Sequence, residues 1–313
     1  PPFPPPSCHR PSEMTRHPFS TRGVLICLAG TAIWSTTAIF IAHLSNHYQL
    51  PPLVLAFWRD LFVALGLAGG FAVFRPSLLR LPTPRRDLGF FAAYGLTLAV
   101  FNGLWTTSVA LNGAAVATVL VYSSPAFTAL AERALFGERF GPVRVGALFL
   151  SLAGCVLVSG AYEPAAWRLN PLGILVGLTS GLAFTAYSLF GRAAHRRALS
   201  PWTATFGAFT TATAFLLLFQ RPSTLFWLGN RLDGWAVLLL LALIPTIGGY
   251  GLYTVSLTYL PAGVANLIVT LEPVMTAAMA YLILGERLTP AQWLGGGLIL
   301  TGIILLEVER RTR

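Results

Sequence analysis

The sequence has 313 residues, of which 55% are hydrophobic and only 10% are charged. Soluble domains carry about 25% charged residues, so this composition excludes an ordinary soluble protein and indicates a membrane protein. The net charge of +10 comes from arginine without any lysine. Because no basic stretch interleaved with aromatic residues lies outside the loops, we expect no nucleic acid as a partner.

The first 21 residues are expected to form a disordered segment. Their beginning, PPFPPPSCHRPSE, precedes Met14 and is rich in proline, a composition that cannot form a packed core. At the other end of the chain, residues 307–313 are expected to form a short cytoplasmic tail.

Ten apolar runs lie between these ends, each close to the roughly 20 residues that a helix needs to cross the hydrocarbon of a bilayer. The short connections between the runs hold most of the prolines and arginines. The sequence therefore predicts an all-α membrane protein with ten transmembrane helices and the lipid bilayer as its surroundings. The predicted spans are residues 22–44, 53–74, 87–109, 113–135, 142–160, 171–190, 201–220, 234–256, 262–284 and 290–306.

The arginines give the ten spans an orientation. If the N-terminus lies in the cytoplasm, 16 arginines fall on the cytoplasmic side, four fall on the outer side, and Arg59 lies within the second span. Cytoplasmic loops of membrane proteins carry an excess of basic residues. We therefore expect both termini to be cytoplasmic.

The stretch Ala114–Pro142 is repeated 148 residues later as Ala262–Pro290, with 11 of 29 positions identical. Each half of the chain has five spans, an odd number, so the second copy lies upside down relative to the first. The sequence therefore predicts two inverted-topology repeats of five helices around a central cavity. The repeats cover residues 22–160 and 171–306, with a linker at 161–170.

Each copy of the repeat has a proline in its fourth span, Pro125 or Pro273, and then a Gly-Glu-Arg motif, at 137–139 or 285–287. In this pattern the chain resembles the EamA-type carriers of the drug/metabolite transporter superfamily, and within them the bacterial exporters of aromatic amino acids. The resemblance covers about residues 22–306. It implies a multi-pass protein of the bacterial inner membrane that exports small metabolites by alternating access. The chain departs from internal symmetry at Glu272, whose counterpart is Ser124.

Polar and aromatic residues at helical spacing are candidates for the wall of the cavity, since lipid contact favours aliphatic side chains and polar groups turn inward. Aromatic walls suit flat rings or organic cations. The alternative is ordinary helix packing. The predicted substrate-binding residues are Trp34, Tyr94, Phe101, Trp105, Tyr122, Tyr187, Tyr250, Tyr253, Asn266 and Thr270.

Two charged residues lie inside predicted spans, where a charge is costly and is a candidate for function. Glu272 could attract a substrate ammonium group, carry a coupling proton, or form a structural ion pair with Arg59. Arg59, which is followed by Asp60, could hold a substrate carboxylate or simply pair with an acid.

Three prolines inside spans, Pro125, Pro245 and Pro273, each remove a backbone donor from a helix. They are predicted either to act as hinges or to form static kinks that neighbouring hydroxyl groups relieve. Small residues in the fifth and tenth spans, such as Gly154 and Gly302, are predicted to let those helices approach closely.

The preferred function is export of aromatic amino acids by a secondary transporter. Other amino acids, or organic cations and drugs, are alternative substrates, and a channel or an intramembrane enzyme is an alternative class. The spans contain neither a Ser/His/Asp set nor a metal-binding cluster, and the sequence has no phosphate-binding loop of the Gly-x-x-x-x-Gly-Lys type. We therefore expect no catalytic site, no metal and no cofactor.

Overall fold

The computed structural model describes residues 20–79, 85–136, 141–164, 171–284 and 289–312. In this part of the chain all regular secondary structure is helical, as the sequence predicts. Both Gly-Glu-Arg motifs, most of the N-terminal segment and most of the linker lie outside it. The helices are α1 (Thr21–Trp34), α2 (Thr37–Tyr48), α3 (Pro52–Phe74), α4 (Arg85–Val121), α5 (Ser124–Phe136), α6 (Pro142–Ser159), α7 (Pro171–Arg196), α8 (Pro201–Leu217), α9 (Pro222–Leu225), α10 (Leu232–Leu241), α11 (Ile247–Ser256), α12 (Ala262–Val269), α13 (Glu272–Leu284) and α14 (Pro290–Thr312).

Prolines mark where several of the helices begin. Proline is favoured at the first helical position because its ring presets the backbone angle and its missing N–H would have no partner there. The helices that begin with proline include α3, α6, α7, α8 and α14. The prolines in the connections therefore divide the apolar sequence into separate helices.

Five helical segments of the described chain are long and apolar enough to cross a membrane, by length and composition. Thr21–Trp34, Ala262–Thr276 and Pro290–Leu305 are shorter apolar helices. The first of them reflects a break that the sequence does not predict, because the span expected at 22–44 is interrupted at residues 35–36. The prediction of a single helix over residues 22–44 is therefore wrong, because this stretch forms two helices, α1 and α2.

Helix α4 includes the predicted connection between the third and fourth spans, since its backbone is helical from Arg85 to Val121. The third predicted span, 87–109, agrees with the apolar segment Leu88–Val109, and residues 110–112 are helical as well. The helix nevertheless turns back on itself. A methyl group placed on Gly177 of α7 would lie 2.7 Å from Ser108 Oγ and 2.9 Å from Leu120 Cβ. In a straight helix these two residues would be about 18 Å apart, so the two parts of α4 are separate passes along α7.

Contacts along the helices give their relative directions. The first part of α4 runs antiparallel to α7, since Tyr94 packs on Tyr187 while Ser108 reaches Gly173. In the same way α1 and α2 run antiparallel to α10 and α11. A methyl group on Gly30 would lie 3.3 Å from the Tyr253 nitrogen, and Tyr48 hydrogen-bonds to Asp233.

Helices α6 and α14 pack backbone to backbone, as the small residues of these spans predict. A methyl group on Gly154 would lie 2.5 Å from the Gly295 carbonyl oxygen, and one on Gly302 would lie 2.8 Å from the Ala147 carbonyl oxygen. Glycine at these crossings allows the close approach that drives helix association in lipid.

Gly154→Ala therefore tests this contact. The added methyl group would meet a backbone atom, which cannot move away as a flexible side chain can, and should destabilise the protein by about 1–3 kcal/mol. Gly146→Ala, in the same helix, is the matched control, because nothing lies within 4 Å of its added methyl group. Thermal unfolding in detergent should show a lower midpoint for Gly154→Ala only. Equal midpoints for both variants would contradict the packing.

Candidate substrate cavity

Two helix breaks near the centre of the bundle follow from prolines. The helical backbone is interrupted at residues 122–123 and at 270–271. Each break lies just before Pro125 or Pro273, which cannot donate to the preceding turn. The proline-interrupted spans predicted from the sequence are thus confirmed.

The break between α1 and α2 has no proline. The hydroxyl groups of Ser35 and Thr36 donate to carbonyl oxygens three residues earlier, at 2.6 and 2.8 Å, and such bonds compete with the helical pattern. The carbonyl oxygen of Ser35 accepts a hydrogen bond from Thr276 of α13 at 3.0 Å. The backbone group released by this break is therefore satisfied inside the protein, as hydrocarbon requires.

Pro245 deforms its helix without breaking it. It lies in a π-helical segment, Ala242–Thr246, between α10 and α11. The hydroxyl group of Thr246 donates at 2.7 Å to the carbonyl oxygen of Leu241, the acceptor that Pro245 leaves without its usual partner. The kink is thus relieved by a neighbouring hydroxyl, and a hinge role for the three prolines remains a prediction.

A cavity lies where the broken helices meet α3, α4, α7 and α11. It is partly open to the outside and has a volume of about 50 Å³, which is below the usual range of small-molecule pockets. Its walls are formed by Trp34, Thr37, Arg59, Phe101, Trp105, Thr118, Val121, Tyr122, Ser124, Phe184, Tyr250 and Glu272.

Aromatic rings form much of this wall and contact one another. The Trp34 ring lies 4.4 Å from the Tyr250 ring and 6.0 Å from the Phe184 ring, measured between centroids. Phe184 in turn lies 4.9 Å from Phe101. A flat apolar group entering the cavity would therefore meet ring faces and edges from four helices.

Arg59 is held in the wall by a buried chain of hydrogen bonds. Its Nε donates to Asp60 at 3.3 Å, and Asn102 donates to the other carboxylate oxygen of Asp60 at 2.8 Å. Tyr250 then donates to Asn102 at 3.2 Å. This chain links the guanidinium group to the hydroxyl group of Tyr250 through Asp60 and Asn102. Arg59 therefore pairs with Asp60, and the described residues contain no ion pair between Arg59 and Glu272.

Glu272 receives a hydrogen bond from the hydroxyl group of Tyr122, at 2.5 Å to Oε2. Tyr122 also lines a second, largely apolar groove between α5, α6 and α12, together with Pro125, Phe149 and Thr270. Tyr122 therefore lies between this groove and the central cavity.

Five of the ten predicted substrate-binding residues line the cavity, and so do both charged candidates. The five are Trp34, Phe101, Trp105, Tyr122 and Tyr250. The structure places the other five elsewhere, namely Tyr94, Tyr187, Tyr253, Asn266 and Thr270. Sequence reasoning missed Phe184 and Thr37. The signal for Phe184 is its correspondence with Trp34 at a shift of 150 residues, between the first spans of the two halves.

Next to the cavity lies a buried layer of hydrogen-bonded side chains. The hydroxyl group of Tyr253 donates to Ser188 at 2.6 Å and contacts Asn266. Asn266 donates to Thr128 at 2.7 Å, and Tyr187 is fully buried close by. These polar residues hold α5, α7, α11 and α12 together, which explains their polar character without contact to a substrate.

Beyond this layer an ion cluster joins four helices. The fully buried carboxylate of Glu132 accepts hydrogen bonds from Arg144 at 2.9 Å and from Arg192 at 2.8 Å. It also accepts one from the backbone N–H of Gly263, at 3.3 Å. This end of the bundle is thus closed around one carboxylate. On the opposite side of the cavity, Trp105 and Thr118 are half-buried.

A bundle of apolar helices around a cavity with aromatic and charged walls is the architecture of a membrane protein that handles small molecules. The sequence profile of the EamA-like transporter family matches this chain twice, at residues 21–160 and 171–308. The chain therefore belongs to the EamA-like transporter family, within the drug/metabolite transporter superfamily.

Relatives of the chain are membrane transporters. It is 28% identical to the uncharacterized transporter YwfM of Bacillus subtilis, over 92% of this chain and 94% of YwfM. It is 26% identical to a probable amino-acid metabolite efflux pump of Escherichia coli, over 90% and 93% of the two chains. It is 28% identical to the threonine/homoserine exporter RhtA of E. coli, over 76% and 77%. A solved crystal structure shares the fold with a TM-score of 0.72 at 22% identity, covering 93% of this chain and 98% of the other.

Glu132→Gln tests the ion cluster. Loss of the charge leaves Arg144 and Arg192, whose side chains are only 15% and 19% exposed, close together without their shared carboxylate. The free energy of unfolding should fall by about 3 kcal/mol. The matched control is Glu163→Gln, at an exposed acid, which should change it by less than about 0.5 kcal/mol. Thermal unfolding in detergent measures both, and equal stability would contradict a structural role for the cluster.

Proposed function

We propose that this protein is a secondary transporter that exports small metabolites, with aromatic amino acids as its preferred substrates, across the inner membrane of a bacterium. The observation that carries the proposal is the cavity at the helix breaks, with the rings of Trp34, Phe101, Phe184 and Tyr250 in its wall. A flat side chain can stack on these rings in a site shielded from lipid. The relatives support export of amino-acid metabolites, since two of them are named for it.

The proposed architecture is two five-helix halves, 22–160 and 171–306, in inverted topology. Helix α5 follows α7 in the same direction, from Thr128–Thr185 to Glu132–Arg192. Helices α12 and α13 follow α1 in the same direction, from Cys27–Ala265 to Ser35–Thr276. Helix α5 runs antiparallel to α12 and α13, since Tyr122 meets Glu272 while Glu132 meets Gly263. It follows that α1 and α7 also run in opposite directions. These two helices begin the two halves, so their directions support an inverted repeat.

The glycine crossing supports the same symmetry. Gly154 meets Gly295, and Gly302 meets Ala147. Adding 148 to the number of Gly154 gives Gly302, and subtracting 148 from that of Gly295 gives Ala147. The two contacts are therefore equivalent once the halves are exchanged. A contact that maps onto itself in this way is expected where equivalent helices of two related halves meet at a two-fold axis.

The proposed transport cycle is alternating access. With both termini in the cytoplasm, as the arginine distribution favours, the cluster of Glu132, Arg144 and Arg192 lies at the cytoplasmic end. The structure then corresponds to a state closed towards the cytoplasm. Taking up substrate from the cytoplasm requires α5 and α12 to separate at Glu132 and Gly263. At that step water would replace the contacts within the cluster, and the substrate would reach the aromatic wall from the cytoplasm.

Counterflow in proteoliposomes tests the function. Labelled phenylalanine should accumulate faster when unlabelled phenylalanine is trapped inside, because a carrier exchanges its substrates whereas a channel does not. Phenylalanine, tyrosine and tryptophan should compete more strongly than threonine, methionine or the organic cation tetraphenylphosphonium, since only the first three offer both a ring and an amino-acid group. Stronger competition by threonine or by the cation would contradict aromatic preference, and absence of trans-stimulation would contradict a carrier.

The same assay addresses the proposed proton coupling through Glu272. A carboxyl group in the cavity wall can bind a proton in one state and release it in another. A pH gradient should then change the uptake rate in the wild type. Equal rates with and without the gradient would leave transport facilitative.

A further inference from the structure

The central cavity gathers polar atoms that the protein leaves without partners. Three buried side-chain atoms in its wall have no hydrogen-bond partner within the described part of the chain, namely Arg59 Nη2, Thr37 Oγ1 and Ser124 Oγ. Their residues are only 2%, 4% and 1% exposed. A buried polar atom without a partner is costly, so a ligand that supplies the missing partners gains binding free energy at this place.

The chemistry of Arg59 indicates what that ligand offers. Asp60 and Asn102 hold the guanidinium group from one side, through Arg59 Nε and the two Asp60 oxygens. Asp60 does not line the cavity, whereas Arg59 does. The unpartnered Nη2 therefore presents a fixed, positively charged donor to the cavity. Its natural acceptor is a carboxylate, which fits the planar donor geometry of a guanidinium group.

The opposite charge in the wall is Glu272. Tyr122 occupies one of its oxygens, and no other hydrogen bond or ion pair holds this side chain within the described residues. The second oxygen is therefore free to accept a donor from a ligand. The wall thus presents one cation and one anion that do not neutralise each other. A ligand with one charge of each sign matches this arrangement, and a plain organic cation leaves Arg59 Nη2 without an acceptor.

We infer that the cavity binds its substrate as a zwitterion, with the carboxylate at Arg59, the ammonium group at Glu272 and the side chain between the aromatic rings. The hydroxyl groups of Thr37 and Ser124 complete the polar contacts, because a hydroxyl can donate to a carboxylate or accept from an ammonium group. This assignment rests on the proposed amino-acid transport. In this assignment Arg59 and Glu272 select amino acids over other small molecules, and the aromatic rings select among the amino acids.

Three ligands that share one ring test the assignment on the wild-type protein in proteoliposomes. Phenethylamine lacks the carboxylate of phenylalanine, and 3-phenylpropionate lacks its ammonium group. Each should compete with labelled phenylalanine at least about tenfold more weakly than phenylalanine itself, because each lacks the group that would contact Arg59 Nη2 or the free oxygen of Glu272. Phenethylamine that competes as well as phenylalanine would overturn the assignment.

Glu272→Gln separates recognition from structure. Glutamine keeps the shape of the side chain and can still accept the hydrogen bond from Tyr122. Phenylalanine should bind about tenfold more weakly to this variant, while 3-phenylpropionate, which has no ammonium group, should not weaken. An equal loss for both ligands would assign Glu272 a purely structural role and overturn the proposal. Glu163→Gln, at an exposed acid, should leave all three ligands unchanged.

The double variant Arg59→Gln/Asp60→Asn tests the other end of the ligand. Both charges are removed together because a lone Asp60 would remain buried without its partner. Phenylalanine should weaken and phenethylamine should not. If the double variant does not fold, competition by the three ligands on the wild type and on Glu272→Gln still tests the zwitterion assignment. A wild-type protein that carries no amino acid contradicts the proposed function, whereas one that carries phenylalanine without discriminating against phenethylamine contradicts the zwitterion site alone.

Discussion

The structure depends on one constraint of the bilayer, which is that a polar group away from water must find its partner inside the protein. The helix breaks obey it, since Thr276 donates to the carbonyl oxygen of Ser35 and Thr246 donates to that of Leu241. Glu132 obeys it with three donors from three other helices. The constraint is relaxed mainly at the central cavity, where three of the five buried side-chain atoms that lack a partner among the described residues lie, on Arg59, Thr37 and Ser124. An opening for a polar ligand follows from that exception.

The helix packing places these unpartnered polar atoms near the two proline-associated helix breaks. Two breaks that correspond at a shift of 148 residues lie on spans that cross antiparallel, joined by Tyr122–Glu272 on one side and Thr128–Asn266 on the other. The departure from symmetry is chemical, since Glu272 has Ser124 as its counterpart. In the proposed inverted architecture the two helix breaks are related by symmetry. The charges that would bind the substrate, on Arg59 and Glu272, have no symmetric counterpart. A single zwitterion has a direction, and an asymmetric pair of charges can hold it in one orientation.

The sequence predicts those features that covalent chemistry or local pattern imposes. Proline cannot donate a hydrogen bond, so the breaks before Pro125 and Pro273 could be read from the residues alone. The break at Ser35 could not, because hydroxyl residues occur in many intact helices and this break depends on Thr276, which is distant in sequence. Helical spacing identified the inward face that holds Tyr94, Phe101 and Trp105. It could not say how far along that face the cavity extends, and Tyr94 packs on Tyr187 instead. Likewise, the partner of Arg59 depends on how α3 is rotated.

The central claim is that the unpartnered groups of the cavity mark the substrate site. The most direct measurement is a cryo-electron microscopy map of the full protein in lipid nanodiscs with bound phenylalanine. The account predicts density for the ligand among Trp34, Phe101 and Tyr250, with its carboxylate at Arg59 and its ammonium group at Glu272. Density in the apolar groove beside Phe149, or a cavity wall in which Trp34 and Tyr250 face the acyl chains of the lipid, would contradict it.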